Sequence, residues 1–139
     1  MPPIQLSTAV VNAALDSIET TIGASAMLRM FSGSIPADCA AADSGTKLVE
    51  MILPSDFYAN ASARSKALSG SWASTGLAGA AAGTAIGYYR IYNNAGSTCH
   101  EQGTVTATGG GGDMTVNNVN IADGQAISIT SKTLNGGNA

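Results

Sequence analysis

Residues 103–134 constrain the fold more than any other stretch, because β-rich runs alternate there with turn residues. The first run leads into the glycines of 109–112, and the second ends at Asp123 and Gly124. Asp-Gly between two β-rich runs is a strong signal for a hairpin turn. In residues 126–134 apolar and polar side chains then alternate, as in a strand with one buried face. Ile127 and Ile129 are expected on the buried face, and Ser128, Thr130 and Lys132 on the polar face. The segment predicts three short strands joined by two turns.

The N-terminal part of the chain predicts one amphipathic helix over residues 7–22. Ser7 or Thr8 can cap the first amides, and Gly23 stands where a left-handed C-terminal residue belongs. The expected apolar stripe consists of Val10, Ala14, Ile18 and Ile22, widened by Val11 and Leu15. Three polar residues lie off this stripe, namely Asn12, Asp16 and Glu19. We expect the stripe to pack on one face or edge of a sheet.

Three strands are predicted between the helix and the C-terminal segment, at residues 26–31, 47–53 and 86–92. The second has few polar positions, which is typical of a strand covered on both sides. Residues 93–96 predict a hairpin loop after the third strand, and residues 97–102 return antiparallel from it.

The middle of the chain is less regular. Residues 67–68 and Trp72 mark possible short strands. Residues 76–85 contain too many glycines for a stable helix and too few branched residues for a strand. We predict an exposed loop there, or a segment that orders against a neighbouring subunit.

These elements predict a single domain over residues 1–139, mainly β. Seven or eight strands with frequent turns and one N-terminal α-helix indicate an antiparallel β-sandwich or a jelly-roll-like domain.

Charged residues make up only 11 % of the chain, and the net charge is −3. Non-specific nucleic-acid binding requires clustered lysine or arginine, whereas the cations here are scattered singly. No apolar run approaches the ~20 residues of a membrane span. The first residues lack the basic and apolar regions of a signal peptide, so we expect the chain to stay in the cytoplasm where it is made.

Cys99, His100 and Glu101 place a thiol, an imidazole and a carboxylate next to each other. Neighbours in a strand point to opposite faces, whereas a nucleophilic Cys-His pair requires contact. A hydrolase would need Cys99 or His100, but the pattern favours a strand-edge histidine, and we predict no catalytic residues. His100 is the single histidine, so the sequence predicts no metal site here and no cofactor.

The two cysteines, Cys39 and Cys99, are too few for a disulfide framework. Two free thiols are the expectation in a reducing cytoplasm, and a bond between them is the alternative.

Two turn regions allow a ligand-binding interpretation. The glycines before Asp113 lack the lysine and the following helix of a phosphate-binding loop, so they predict a bent strand connection. Calcium binding is conceivable for one set of oxygen-bearing residues, Asp113, Asp123, Asn117, Asn118 and Asn120. These are also ordinary turn residues, which is the interpretation we favour.

One face of the strand at 86–92 carries Tyr88, Arg90 and Tyr92. These rings, or Trp72, could stack on a sugar in a carbohydrate-binding module. A buried or subunit-facing aromatic stripe is the commoner use of such residues. We predict that Trp72, Tyr88, Arg90 and Tyr92 lie near subunit or partner contacts.

Several segments resemble small structural proteins of tailed bacteriophages and prophages. LRMFSGSIPA at 28–37 is similar to their opening pattern, and TKLVEMILP at 46–54 to their next segment. The glycine run, the Asn-rich strand and the closing TLNGGN at 133–138 resemble their C-terminal half. The two cysteines are not part of the pattern, and residues 56–85 match least.

The resemblance implies a non-enzymatic virion component made in the host bacterial cytoplasm. A head decoration (capsid cement) protein is the expectation, and a neck, collar or tail accessory protein is the alternative. The implied partners are the major capsid protein and further copies of this chain. We expect a homo-oligomer, a trimer rather than a dimer, because a capsid lattice offers threefold sites.

Overall fold

One helix and eight strands form the described part of the chain, residues 4–78, 80 and 84–136, in a computed structural model. The helix is α1 (Thr8–Ile22), and the first four strands are β1 (Met27–Ser32), β2 (Lys47–Ile52), β3 (Ser65–Ala67) and β4 (Ala73–Thr75). The remaining strands are β5 (Ile86–Tyr92), β6 (Cys99–Ala107), β7 (Met114–Val116) and β8 (Ala126–Asn135).

The strands form one sheet in the order β2-β1-β5-β6-β7-β8-β3, and β4 also pairs with β8. All named pairs are antiparallel except β6–β7, which is parallel. The predicted fold class is therefore confirmed: the structure is mainly β, mostly antiparallel and sandwich-like, with one N-terminal helix.

The segment after β4 brings the two ends of this sheet together. Gly76 forms a bridge with Val49 of β2, and the Leu77 amide donates to the Leu48 carbonyl at 2.8 Å. A side chain at Gly76 would place its Cβ 2.1 Å from the Ala122 carbonyl oxygen, so this close approach requires glycine. The sheet thus curls around its core.

The exposed loop predicted for residues 76–85 is confirmed only in part where the structure describes it. Ala78 and Ala85 are exposed, but Gly76 is buried and Ala80 is only 6 % exposed. The Ala80 carbonyl accepts from the Asp123 amide at 3.1 Å, so the chain here docks on the predicted hairpin turn. Residues 79 and 81–83 of the predicted loop lie outside the described residues.

One hydrophobic cluster fills the space inside the sheet. Its largest fully buried apolar and aromatic members include Leu28, Met30, Leu48, Phe57, Tyr58, Tyr89, Ile91, Met114 and Ile121. They come from most strands and from the irregular segment before β3, because each strand turns one face inward.

The C-terminal strands confirm the predicted three-strand segment, with a difference in the second strand. The run predicted at 97–102 continues into the first run of the segment as one strand, β6, which is followed by a turn through the glycines. Strand β7 is only three residues long and parallel to β6. The Asp-Gly turn is present, with Gly124 in the left-handed region at φ 74°.

Helix α1 has the predicted ends. The Ser7 hydroxyl accepts from the Val10 amide at 3.2 Å, and Gly23 caps the C-terminus with φ 91°. The predicted stripe is partly wrong, because Val10 is 51 % exposed and Ala14 is exposed. The buried residues of the helix are Val11, Leu15 and Ile22.

The polar residues of the helix explain why its buried face differs from the predicted stripe. Asn12, Asp16 and Glu19 were expected off the packed face, yet each accepts from a backbone amide of the irregular segment 58–64. The acceptor–donor pairs are Asn12 with Arg64 at 2.9 Å, Asp16 with Ala61 at 2.8 Å, and Glu19 with Tyr58 at 3.1 Å. Amides of an irregular segment need acceptors, so these side chains turn inward and Val10 turns outward.

We predict that Glu19→Ala lowers the free energy of unfolding by about 2 kcal/mol, because it leaves the Tyr58 amide without its acceptor. Glu19→Gln keeps an oxygen acceptor and should recover part of the loss. Thr21→Ala, on the exposed face of the same helix, is the control and should change stability little. Urea denaturation measures all three, and equal values for Glu19→Ala and Thr21→Ala would contradict the prediction.

Candidate functional site

The strand face that carries Arg90 is covered by the β1–β2 loop (residues 33–46). Arg90 is 2 % exposed, and its guanidinium donates to the carbonyls of Asp38 and Ala41, both at 2.9 Å. It also donates to the Asp43 carboxylate at 2.7 Å and to Gln102 on β6 at 3.1 Å. The planar guanidinium of Arg90 on β5 thus binds three residues of the loop together with Gln102 of β6.

The two tyrosines of this face hold the same loop. The Tyr88 hydroxyl accepts from the Ser44 amide at 2.9 Å and donates to the Ser44 carbonyl at 2.7 Å. The Tyr92 hydroxyl donates to the Asp43 carboxylate. Burial, and then the Asp43 carboxylate, raise the pKa of Tyr92 to about 12, so this hydroxyl stays protonated at neutral pH.

Both rings are also covered by neighbouring side chains of β1. Tyr88 stacks on Phe31 with ring centroids 5.0 Å apart, and the Arg29 guanidinium lies 4.6 Å from the centre of the Tyr92 ring. A sugar could reach these rings only if the β1–β2 loop opened.

Trp72 lies in the hydrophobic core, on the opposite side of β5 from this face. It is 2 % exposed, packs against Phe57 and Tyr58, and donates its indole N–H to the Ser69 carbonyl at 3.1 Å. The structure therefore does not bring Trp72 together with Tyr88, Arg90 and Tyr92. All four are buried within the chain, and their contact with a partner stays a prediction.

A β-bulge separates the residues of the Cys99-His100-Glu101 motif. Cys99 is paired with Tyr92 and Glu101 with Ile91, so that His100 is the extra residue. Cys99 consequently faces the β1–β2 loop, Glu101 faces the core, and His100 is exposed. The motif does not form a catalytic arrangement in this geometry.

Glu101 instead forms the centre of a buried polar cluster that the sequence analysis missed. Its carboxylate accepts from the Tyr58 hydroxyl at 2.9 Å and from the Tyr89 hydroxyl at 2.5 Å, and it pairs with the Lys132 ammonium at 3.0 Å. Burial, and then the Glu101 charge, raise the pKa of both tyrosines, so they remain donors.

Lys132 was expected on the polar face of its strand, and that expectation is wrong. The register of β8 shifts between Ile129 and Ser131, which adds one residue and reverses the faces that follow. Lys132 is therefore 3 % exposed and lies beside the rings of Tyr58 and Tyr89. The alternation rule identifies a strand but not a bulge inside it.

A second buried lysine joins helix α1 to the sheet. Lys66 is 2 % exposed and pairs with Asp16 at 2.8 Å and Glu19 at 3.2 Å, and it donates to the Ala59 carbonyl at 2.9 Å. The bond from Lys66, with that from the Ala61 amide, holds the pKa of Asp16 below its usual value. An open groove lined by these carboxylates and Asp56 lies alongside.

The residues considered for phosphate or calcium binding serve as turn residues. Asp113 accepts from the Thr104 amide and hydroxyl at 2.9 and 3.0 Å, and Gly112 donates to Thr106 at 2.9 Å. Asn117 accepts from the Ser128 amide at 3.0 Å. The remaining candidates are turn residues as well: the Asn118 side chain accepts from the Asn120 amide, and Asp123 occupies the Asp-Gly turn.

Within residues 4–78, 80 and 84–136, no three His, Cys, Asp or Glu side chains are arranged to hold a metal ion. In the same part of the chain, no helix has the length and apolarity to cross a membrane. No family model, curated protein or solved structure matches the chain.

We predict that Arg90→Lys loosens the β1–β2 loop, because a single ammonium cannot bind the carbonyls, the carboxylate and Gln102 together. The amides of Ala41 and Ser44 should exchange with solvent at least about tenfold faster, as expected for the loss of charge-assisted hydrogen bonds. Arg29→Lys, on the adjacent strand, is the control: Arg29 binds Glu50 and the Gly96 carbonyl, and a lysine there keeps a cation beside the Tyr92 ring. Unchanged exchange in the Arg90 variant would show that the loop is held by other contacts.

We also predict that Lys132→Met lowers the free energy of unfolding by about 3 kcal/mol, because it leaves the buried Glu101 carboxylate without its cation. Lys47→Met is the matched control: Lys47 pairs with Glu50 at the surface, and its loss should cost no more than about 0.5 kcal/mol. Denaturant titration compares the two, and losses of equal size would refute the role given to the buried pair.

Proposed function

We propose that this chain is a non-enzymatic structural protein of a tailed-bacteriophage virion. Within that class we propose a capsid decoration, or cement, protein that binds the head shell in repeated copies and stabilises it. The chain would be made in the cytoplasm of the host bacterium, and its partners would be the major capsid protein and further copies of itself.

The observation that carries the proposal is the use of charge within the chain. In the described part of the chain, five lysines and arginines form ion pairs inside the molecule, among them the buried Lys66, Arg90 and Lys132; the other two are Arg29 and Lys47. The sixth, Arg64, donates to the Leu6 carbonyl. Such a surface offers few free cations for phosphate or an acidic lattice, but it suits packed contact, since the cores of protein interfaces are depleted of charge.

The exposed apolar residues supply a place for this contact. Ile4 is 80 % exposed, Leu6 39 % and Val10 51 %, and they form the N-terminal apolar patch, which runs from the start of the described chain into α1. Arg64 anchors this segment through the Leu6 carbonyl. We assign contact with the shell to this patch.

The resemblance of residues 28–37, 46–54 and 133–138 to phage structural proteins supports the same class. Both faces of β5 are covered, one by the core and one by the β1–β2 loop, and such burial would help a virion protein to resist unfolding. A trimer remains the proposed assembly, because closed symmetry suits a threefold lattice site.

Two alternative functions can be distinguished from a decoration protein, one by copy number and the other by the burial of the aromatic rings. A neck, collar or tail accessory protein would use the same surface, and copy number distinguishes it. A decoration protein should be present at on the order of hundreds of copies per particle, and a neck or tail protein at tens.

A carbohydrate-binding module would need Tyr88, Tyr92 or Trp72 as a stacking platform. Each of these is 5 % exposed or less, so a sugar would have to open the fold.

We predict that replacing both Ile4 and Val10 by aspartate weakens binding to shells stripped of this protein by at least about tenfold, because charge in an interface core is not compensated. Co-sedimentation with stripped shells measures the binding. Ile52→Asp is the matched control, since Ile52 is 55 % exposed but lies on β2, outside the patch. Equal binding by the doubly substituted chain, with folding intact, would remove the patch from the proposal, and failure of the unmodified chain to bind would refute the function.

A further inference from the structure

The β1–β2 loop carries one of the two cysteines and is fastened to the strands that carry the other. Cys39 stands between Asp38 and Ala41, whose carbonyls both accept from Arg90 at 2.9 Å. Arg90 in turn binds Gln102 on β6, three residues after Cys99. The position of Cys39 is thus fixed relative to β6 by neighbours on both sides.

Cys99 faces this loop from the sheet. It is the cross-strand partner of Tyr92, and directly paired residues of antiparallel strands point to the same side. The Tyr92 hydroxyl donates to Asp43 of the loop, so Cys99 lies on the face that the loop covers, and the Cys39 thiol is near enough to Cys99 to help raise the pKa of Cys99. The Cys99 sulfur also lies 3.5 Å from the Glu101 carbonyl oxygen. Both thiols are reduced and half-buried, so a small oxidant can approach them.

We propose that Cys39 and Cys99 form an intramolecular disulfide when the chain meets a small disulfide oxidant such as glutathione disulfide, and that this bond fastens the β1–β2 loop covalently to β6. The site is independent of the proposed virion role. It is an oxidative modification site at the margin of the face that Arg90 holds closed.

The chemistry is two thiol–disulfide exchanges. The Cys39 thiolate attacks one sulfur of glutathione disulfide, which releases one glutathione and leaves a mixed disulfide on Cys39. The Cys99 sulfur, after losing its proton, attacks the Cys39 sulfur and releases the second glutathione. The protein loses two protons and two electrons, and the oxidant becomes two glutathione molecules.

The surroundings of Cys99 determine the order and speed of these steps. Burial, and then the neighbouring Cys39 thiol, raise the pKa of Cys99 to about 12. Because the thiolate is the nucleophile, Cys99 is poorly suited to attack first and acts as the resolving thiol. We therefore expect slow oxidation that becomes faster when the loop is loosened.

Peptide mapping tests the proposal on the full chain. The reduced protein is incubated with glutathione disulfide, blocked with N-ethylmaleimide and digested with trypsin without reduction. The expected product joins the tryptic peptides 30–47 and 91–132, with two hydrogens lost and neither thiol labelled, and dithiothreitol should reverse it. The proposal would be overturned by maleimide labelling of both cysteines or by a reaction that stops at mixed glutathione disulfides. A disulfide between two chains would overturn it as well.

Thermal unfolding and hydrogen exchange test the fastening of the loop. Oxidation should raise the unfolding temperature by roughly 10 °C, as a native cross-link over a long loop does, and slow exchange at Ala41 and Ser44. Cys39→Ser is the control, because it removes the thiol of the β1–β2 loop and should abolish both changes. The same changes in Cys39→Ser, or none in the unmodified chain, would refute the fastening of the loop by this bond.

Discussion

Two buried lysines, both near the Tyr58 ring, hold the parts of this molecule together. Lys132 lies 5.7 Å and Lys66 5.9 Å from the centre of that ring. Lys132 joins β8 to Glu101 of β6, whereas Lys66 joins β3 to the carboxylates of helix α1. A buried charge without its partner costs several kcal/mol, so each lysine requires the opposing element in place. The helix, the irregular segment and the sheet therefore depend on one another.

The strands were predictable because alternation and turn residues are local properties of a sequence. The hairpin at 93–96, the Asp-Gly turn and the ends of α1 were all found where Gly23, Gly124 and their neighbours predicted them. The buried polar cluster was not predictable, because it depends on two register shifts. One bulge at His100 turns Glu101 inward, and another before Ser131 does the same for Lys132. A bulge changes which face a residue occupies without changing the composition of the strand.

The sequence left open whether the aromatic face of β5 is buried within the chain or faces a subunit or a sugar. Tyr88, Arg90 and Tyr92 do share one face, but the β1–β2 loop folds back over it and takes up the hydrogen bonds of all three. The sequence signal for this loop is weak, since small residues dominate it. With the cations paired inside the molecule, carboxylates such as those of Asp56, Asp113 and Asp123 remain exposed, and an apolar patch lies at the N-terminal end. The proposed role in a virion follows from that surface and from the resemblance, and not from any reactive group.

The proposed virion role implies that a phage or prophage encodes this chain. A reconstruction of purified particles of that phage, combined with gel densitometry of the same particles, tests the central claim most directly. The account predicts on the order of hundreds of copies on the outside of the head shell, at symmetry-related sites, with the N-terminal apolar patch against the capsid protein and the β1–β2 loop closed over β5. Tens of copies at the neck or tail would contradict the decoration role, and absence of the chain from the particle would contradict the virion role altogether.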